Sequence, residues 1–164
     1  MKSMFNTILL LPLFQGISTR KLTTILDKAV LHFEKKAPGE VIAESGQVCD
    51  SLIFILQGNV EKITQSAEKS TYKVSEHLPA PYLIEPSSMF GMHTVYRSTY
   101  TTLTTVDVMT IGKDTVKDIL LKDDVFRINY LNIVCRHSQQ MEQKIWDLAN
   151  YSHSMVEGGL EEMS

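Results

Sequence analysis

The residues best suited to chemistry lie in one short stretch, Phe90-Gly91-Met92-His93, followed by Arg97-Ser98-Thr99. A guanidinium beside two hydroxyls can hold a small anion, because arginine forks onto oxyanions and hydroxyls donate as well as accept. Arg97 equally suits a surface pair with a carboxylate. Catalytic chemistry is not indicated. There is no nucleophile elbow, no phosphate-cradling Walker loop and no Cys–His pairing in a catalytic context. His32, His77, His93, His137 and His153 form no HxH or HxxxH pair, so a small-barrel metal site has no ligand cluster in the sequence. Cys49 and Cys135 stand far apart without CxxC spacing, and they read as reduced thiols of a cytoplasmic protein.

The elements around this stretch read as one small domain with a helical extension. Lys2 and the run Ile8 to Phe14 imitate a signal peptide. The run is short, holds Pro12 and lacks a small-x-small cleavage site, so it is expected to pack on the domain as a lead-in segment. It is also too short to cross a membrane. Ser18 is an expected N-cap, and Leu22, Ile25, Leu26 and Ala29 mark the apolar face of the helix that follows. From Val30 to Ile111 strands are expected. Pro38-Gly39 and Gly46 punctuate them, and Lys35-Lys36 reads as a solvated turn. Ile53 to Leu56 is an apolar strand, and Gly58 is expected to form a tight turn between paired strands. Residues 65–70 read as a hairpin loop and Leu78-Pro79-Ala80-Pro81 as a loop. Thr101 to Ile111 alternates as a strand, and Asp114 is expected to cap a short helix carrying Val116, Ile119 and Leu120.

Asp123 and Asp124 then offer caps for a long helix to about Asn150, with a fraying tail over residues 151–164. Leu131, Val134, Ser138, Met141, Ile145 and Leu148 are spaced three, four, three, four and three, an a/d seam of a coiled coil. A second stripe, Phe126, Tyr130 and Ile133, lies near the helix start. Two apolar faces predict two partners, the chain's own strands and the same helix of a second copy, in a parallel homodimer. The domains expected are therefore 1–122, the strand domain with its N-terminal helix, and 123–150, the dimerisation helix.

This order of elements resembles the N-terminal effector domain of the catabolite-activator/fumarate-nitrate-regulator (Crp/Fnr) family. The residues that carry the likeness are Leu13-Phe14, Phe33, Pro38-Gly39-Glu40-Val41-Ile42, Gly46, the strand Ile53 to Gly58, Phe90-Gly91 and the long helix. The resemblance implies an α+β fold, an antiparallel β-roll of the jelly-roll-like, cyclic-nucleotide-binding type with an N-terminal helix and a long C-terminal dimerisation helix. It implies an effector between roll and helix, held by Phe90, Gly91, Met92, Arg97, Ser98, Thr99 and, on the helix, Gln140. The family's phosphate segment reads Phe-Gly-Glu and, several residues on, Arg-Ser/Ala-Ala. In it a helix N-terminus and the arginine hold the phosphate, and the glutamate holds a ribose hydroxyl. Here Met92 stands where that glutamate belongs, and the loop to Arg97 is short. These departures speak against tight cyclic AMP binding. Another small anion, an apolar or haem-like ligand (with His93 as a haem ligand) and a vestigial pocket are the readings left.

The formal net charge of −3 argues against a nucleic-acid-binding surface within these residues. Family members usually continue into a helix-turn-helix domain, and the residues after Asn150 cannot form a recognition helix. The expected function is thus the effector-sensing and dimerisation part of a transcription regulator, which reaches DNA only through a helix-turn-helix domain absent from this chain. A stand-alone dimeric sensor acting on protein partners is the alternative, and a small-barrel metal enzyme the outsider.

Overall fold

The computed structural model describes residues 4–65 and 73–161. The chain falls into two compact units, residues 1–130 and 131–164. The first unit opens with α1 (Met4–Leu9), a 3₁₀ turn (Pro12–Phe14) and α2 (Thr19–Leu26). Ser18 caps α2 by accepting the Lys21 N–H at 3.3 Å. Leu22 and Ile25 are buried, and Ala29 lies beyond the helix end. The lead-in segment packs as its composition demands. Leu13, Phe14 and Ile17 are buried, and the Phe14 ring sits 6.3 Å from Phe54 and 5.4 Å from Phe126.

Eight strands follow: β1 (Leu31–Lys36), β2 (Val41–Ala43), β3 (Ser51–Gln57), β4 (Asn59–Gln65), β5 (Lys73–Pro79), β6 (Tyr82–Ile84), β7 (Thr99–Thr102) and β8 (Val106–Gly112). They form two four-stranded sheets in the orders β1-β8-β3-β6 and β2-β7-β4-β5, with every pair antiparallel. Nearly every connection switches sheets, as in a jelly roll, and only β4 and β5 are consecutive strands paired with each other. Both faces of β3 are covered, so Leu52, Ile53, Phe54 and Ile55 are all buried and the strand shows no alternation. Val106, Val108, Met109 and Ile111 of β8 and Ala43, Val60 and Tyr100 of the other sheet complete the core.

Several expectations change here. Gly58 does not join paired strands: β3 and β4 belong to different sheets, and Gly58 (φ 96°) is the corner between them. Lys35 and Lys36 are not in a turn but end β1, an edge strand whose exposed faces suit charged side chains. The stretch Thr101 to Ile111 is not one strand. It breaks at residues 103–105 and crosses between sheets, because β7 and β8 pair with different neighbours. Pro79 ends the edge strand β5, where a missing N–H costs no ladder bond. Apart from Gln65, which ends β4, the hairpin loop expected over 65–70 lies outside the described residues.

After β8 come α3 (Lys113–Asp118), a 3₁₀ turn (Leu120–Lys122) and α4 (Asp124–Glu161). Gly112, not Asp114, occupies the N-cap of α3, and no side chain caps it; Asp114 sits inside the first turn. Asp123 caps α4, its Oδ1 accepting the Phe126 N–H at 2.9 Å, and its Oδ2 lies 2.7 Å from the Lys21 ammonium. The start of α4 is also tied to the lead-in segment: the Asn129 side-chain amide donates to the carbonyls of Leu13 and Gln15 at 3.0 and 2.8 Å. The helix does not stop at Asn150. It runs to Glu161, because no proline interrupts residues 151–157 and the glycine pair comes only at 158 and 159. In the second unit Leu131, Met141, Ile145, Trp146, Leu148 and Tyr151 are exposed.

Candidate functional site

The polar centre of the roll is built where β6 ends. Ile84 is buried, and the next residue, Glu85, takes φ 32° and ψ 62°, a left-handed backbone unusual for a side chain with a Cβ. The turn is followed at once by Pro86 in the first position of a 3₁₀ turn (Pro86–Ser88), which needs no N–H there. The bend aims the Glu85 carboxylate at four donors. Oε2 accepts from the Arg97 backbone N–H at 2.8 Å and the Ser88 hydroxyl at 2.9 Å. Oε1 accepts from the Ser98 backbone N–H at 3.0 Å and the Tyr100 hydroxyl at 3.1 Å. A carboxylate has about four acceptor positions, so this one is saturated. Hydrogen bonds to a charged acceptor are stronger than neutral ones and offset the ~1–3 kcal/mol cost of the left-handed backbone.

The surroundings reinforce this set. Ser98 is buried, and its hydroxyl shares a 2.7 Å hydrogen bond with Thr64 of β4. Tyr100 is fully buried; burial first, and then the negative charge of Glu85, raise its phenol well above the usual tyrosine range. The Tyr82 ring lies 6.4 Å from that of Tyr100, and burial raises its phenol too. Lys62 pairs with Glu76 at 3.0 Å. From the other side, Tyr130 of α4 donates its hydroxyl to the Pro86 carbonyl, next to Glu85. Burial pushes the Tyr130 phenol up to about 12, so it stays a donor.

Of the residues expected to form the site, Arg97 and Ser98 meet at Glu85, through their backbone N–H groups. The Arg97 side chain is exposed and joins no ion pair among the described residues, while its carbonyl accepts from the Ser45 hydroxyl at 3.2 Å. The Thr99 hydroxyl accepts from the Ser45 N–H at 3.1 Å. Phe90 is turned to α4 and α3: its ring lies 6.1 Å from Tyr130, and the Lys113 ammonium stands 5.3 Å from its centroid. A Cβ on Gly91 would come within 2.6 Å of the Ser87 carbonyl oxygen, so glycine there serves a close backbone approach. Met92 is 94% exposed and His93 is exposed. Gln140 is exposed on the part of α4 that belongs to the second unit.

Glu85, Ser88 and Tyr100 did not stand out in the sequence, and Tyr130 stood out only as part of the apolar stripe near the start of the long helix. The sequence places Met92, not an acidic residue, directly after Gly91, whereas the structure supplies a carboxylate from Glu85, directly after β6. The signal available was Glu85-Pro86-Ser87-Ser88 after Tyr82-Leu83-Ile84, an acidic residue and a helix-starting proline at the end of an apolar strand.

Among the described residues no three His, Cys, Asp or Glu side chains gather to hold a metal ion, and no helix is long and apolar enough to cross a membrane.

Comparison with known proteins gives a consistent frame. The family model of the cyclic nucleotide-binding domain matches residues 33–123. A curated relative, the potassium channel GORK of Arabidopsis thaliana, is 36% identical over 80 residues, which are 49% of this chain and 9% of the channel. The catabolite activator protein of Thermus thermophilus superposes with a TM-score of 0.72 at 12% identity, covering 85% of this chain and 63% of that one. The sensor domain of the transcriptional regulator DNR from Pseudomonas aeruginosa gives 0.65 at 15% identity, covering 85% and 89%. At these identities the structural likeness is one of fold. This chain thus spans less than two thirds of both the channel and the activator.

Proposed function

Because this chain belongs to the cyclic nucleotide-binding domain family, we propose that it is the effector-sensing and dimerisation part of a Crp/Fnr-type regulator in the cytoplasm. In this reading the chain performs no catalysis. DNA contact falls to a helix-turn-helix domain outside the residues present here. The roll takes up a small effector beside Glu85, Arg97 and Ser98, and its pocket departs from the one that serves cyclic nucleotides. The Tyr130 hydroxyl on Pro86 and the Tyr130 ring against Phe90 tie that pocket to the start of α4. A ligand that shifts the Glu85-Pro86 turn therefore acts on the helix, and it changes the dimer only if it binds two dimer states unequally.

The observation that carries the dimer is the row Leu131, Met141, Ile145 and Leu148, exposed along one face of a 38-residue helix. A helix with so much uncovered apolar surface is marginal alone and gains its stability by packing. Val134 and Ser138 complete the seam, and the small polar Ser138 fixes register at some cost in affinity. Sedimentation equilibrium tests it. The wild type is expected to dimerise, and Leu131→Ala with Met141→Ala to raise the dimer dissociation constant at least about tenfold, 1.4 kcal/mol. A double variant as dimeric as the wild type contradicts the seam.

A further inference from the structure

We propose that the groove between α2 and the 3₁₀ turn leading into α4 is a binding site for a small amphiphilic monoanion, one carboxylate on an apolar body. The groove measures about 380 Å³, within the range of small-molecule sites. Its lining combines two isoleucines with lysines and aspartates. Ile25 of α2 is buried, and Ile119, between α3 and the 3₁₀ turn, is half-buried, so together they offer a ligand apolar surface. The site shares no residue with the Glu85 turn or with the α4 seam, so it stands or falls apart from both.

The charges select the ligand. The Lys21 ammonium stands 2.7 Å from Asp123 Oδ2, so these two groove residues neutralise each other. Lys28 and Lys122 also line the groove; both are exposed and join no ion pair among the described residues. Asp118 is exposed and joins none either. Two free ammoniums against one free carboxylate leave a single positive charge to be met. A second negative charge on the ligand would meet Asp118, a like charge. Thr24 donates its hydroxyl proton to the Arg20 carbonyl at 3.1 Å, so the donors left for a carboxylate are the lysines. The position also bears on the long helix: the Asp123 carboxylate that lines the groove caps α4 through the Phe126 N–H.

Amide chemical-shift mapping on the whole chain tests this with three probes. Hexanoate carries both parts; acetate keeps the charge without the apolar body, and hexanamide keeps the body without the charge. Hexanoate is expected to shift the amides of residues 21–28 and 118–123 saturably, with a dissociation constant of about 1–10 mM. Acetate and hexanamide are each expected to bind at least about threefold more weakly. Lys28→Gln with Lys122→Gln removes both free ammoniums from exposed positions, and amide signals elsewhere that overlay the wild type's show that this variant folds. It is expected to weaken hexanoate at least about threefold and to leave hexanamide unchanged. No saturable hexanoate shift in these two segments up to about 10 mM would overturn the proposal. Acetate or hexanamide binding as tightly as hexanoate would overturn it too, and so would a folded double variant that binds hexanoate as well as the wild type.

Discussion

Asp123 shows how much one carboxylate does in this chain. It caps α4 through the Phe126 N–H and pairs with Lys21 of α2 at 2.7 Å, with its side chain only 3% exposed. Burial pushes its carboxyl up, but the Lys21 hydrogen bond, the Phe126 N–H and the Lys21 charge together hold it below the ordinary value of 3.8. Lys21 is raised above 10.5, chiefly by its hydrogen bond to Asp123. A lowered carboxyl stabilises fully above 3.8, and the gain is lost as pH falls through the folded value. A raised ammonium stabilises fully below 10.5 and loses its gain as pH climbs past its own folded value. The two statements describe one interaction, so the stabilisation spans the range between them. Asp123→Ala is expected to cost about 1–2 kcal/mol in urea unfolding at neutral pH, with the difference from wild type shrinking near pH 2. Asp123→Asn, which keeps a capping oxygen, should lose less. A deficit independent of pH would refute the ionic part. The caps Ser18 and Asp123 were legible in the sequence, since a side-chain cap needs only local neighbours. Glu85 was not, because its four partners are brought by residues 88, 97, 98 and 100, and only the fold sets them together.

At the scale of elements, the corner at Gly58 decides whether β3 and β4 can enter different sheets. Its φ of 96° excludes most side chains, and a Cβ there would stand 2.5 Å from the Thr105 carbonyl oxygen. Gly46 has a similar φ of 86° but open space around its Cβ. Gly46→Ala should therefore cost about 1 kcal/mol of backbone strain, and Gly58→Ala about 3 kcal/mol or more, because strain and overlap add. Thermal melts of the two variants compare them directly, and equal losses would show that the corner yields. Glycine spacing announced the roll, yet not its connections. A turn that closes a hairpin and one that crosses between sheets carry the same residue signal, so Gly58 and residues 103–105 could not be assigned to corners before the strand pairs were known. The basic pair Lys35-Lys36 misled for a related reason. Polar residues suit an exposed edge strand as well as a turn.

For the whole molecule, the order of helix, glycine-punctuated roll, short helix and long helix was readable from one sequence, because each element announces itself locally. What the long helix meets was not readable, since an apolar stripe does not name its partner. In the proposed dimer two copies pack in parallel along Leu131, Val134, Ser138, Met141, Ile145 and Leu148, and this packing is what an effector in the roll would alter. Cross-linking tests that arrangement most directly. In a chain with Cys135→Ala, Ser138→Cys places one thiol on the seam, and a parallel in-register pair brings the two copies of residue 138 within disulfide reach. Mild oxidation is predicted to give a covalent dimer from Ser138→Cys and none from Arg136→Cys, off the seam on the same helix. Equal cross-linking at both positions, or none at residue 138 in a protein that sediments as a dimer, would contradict the parallel seam.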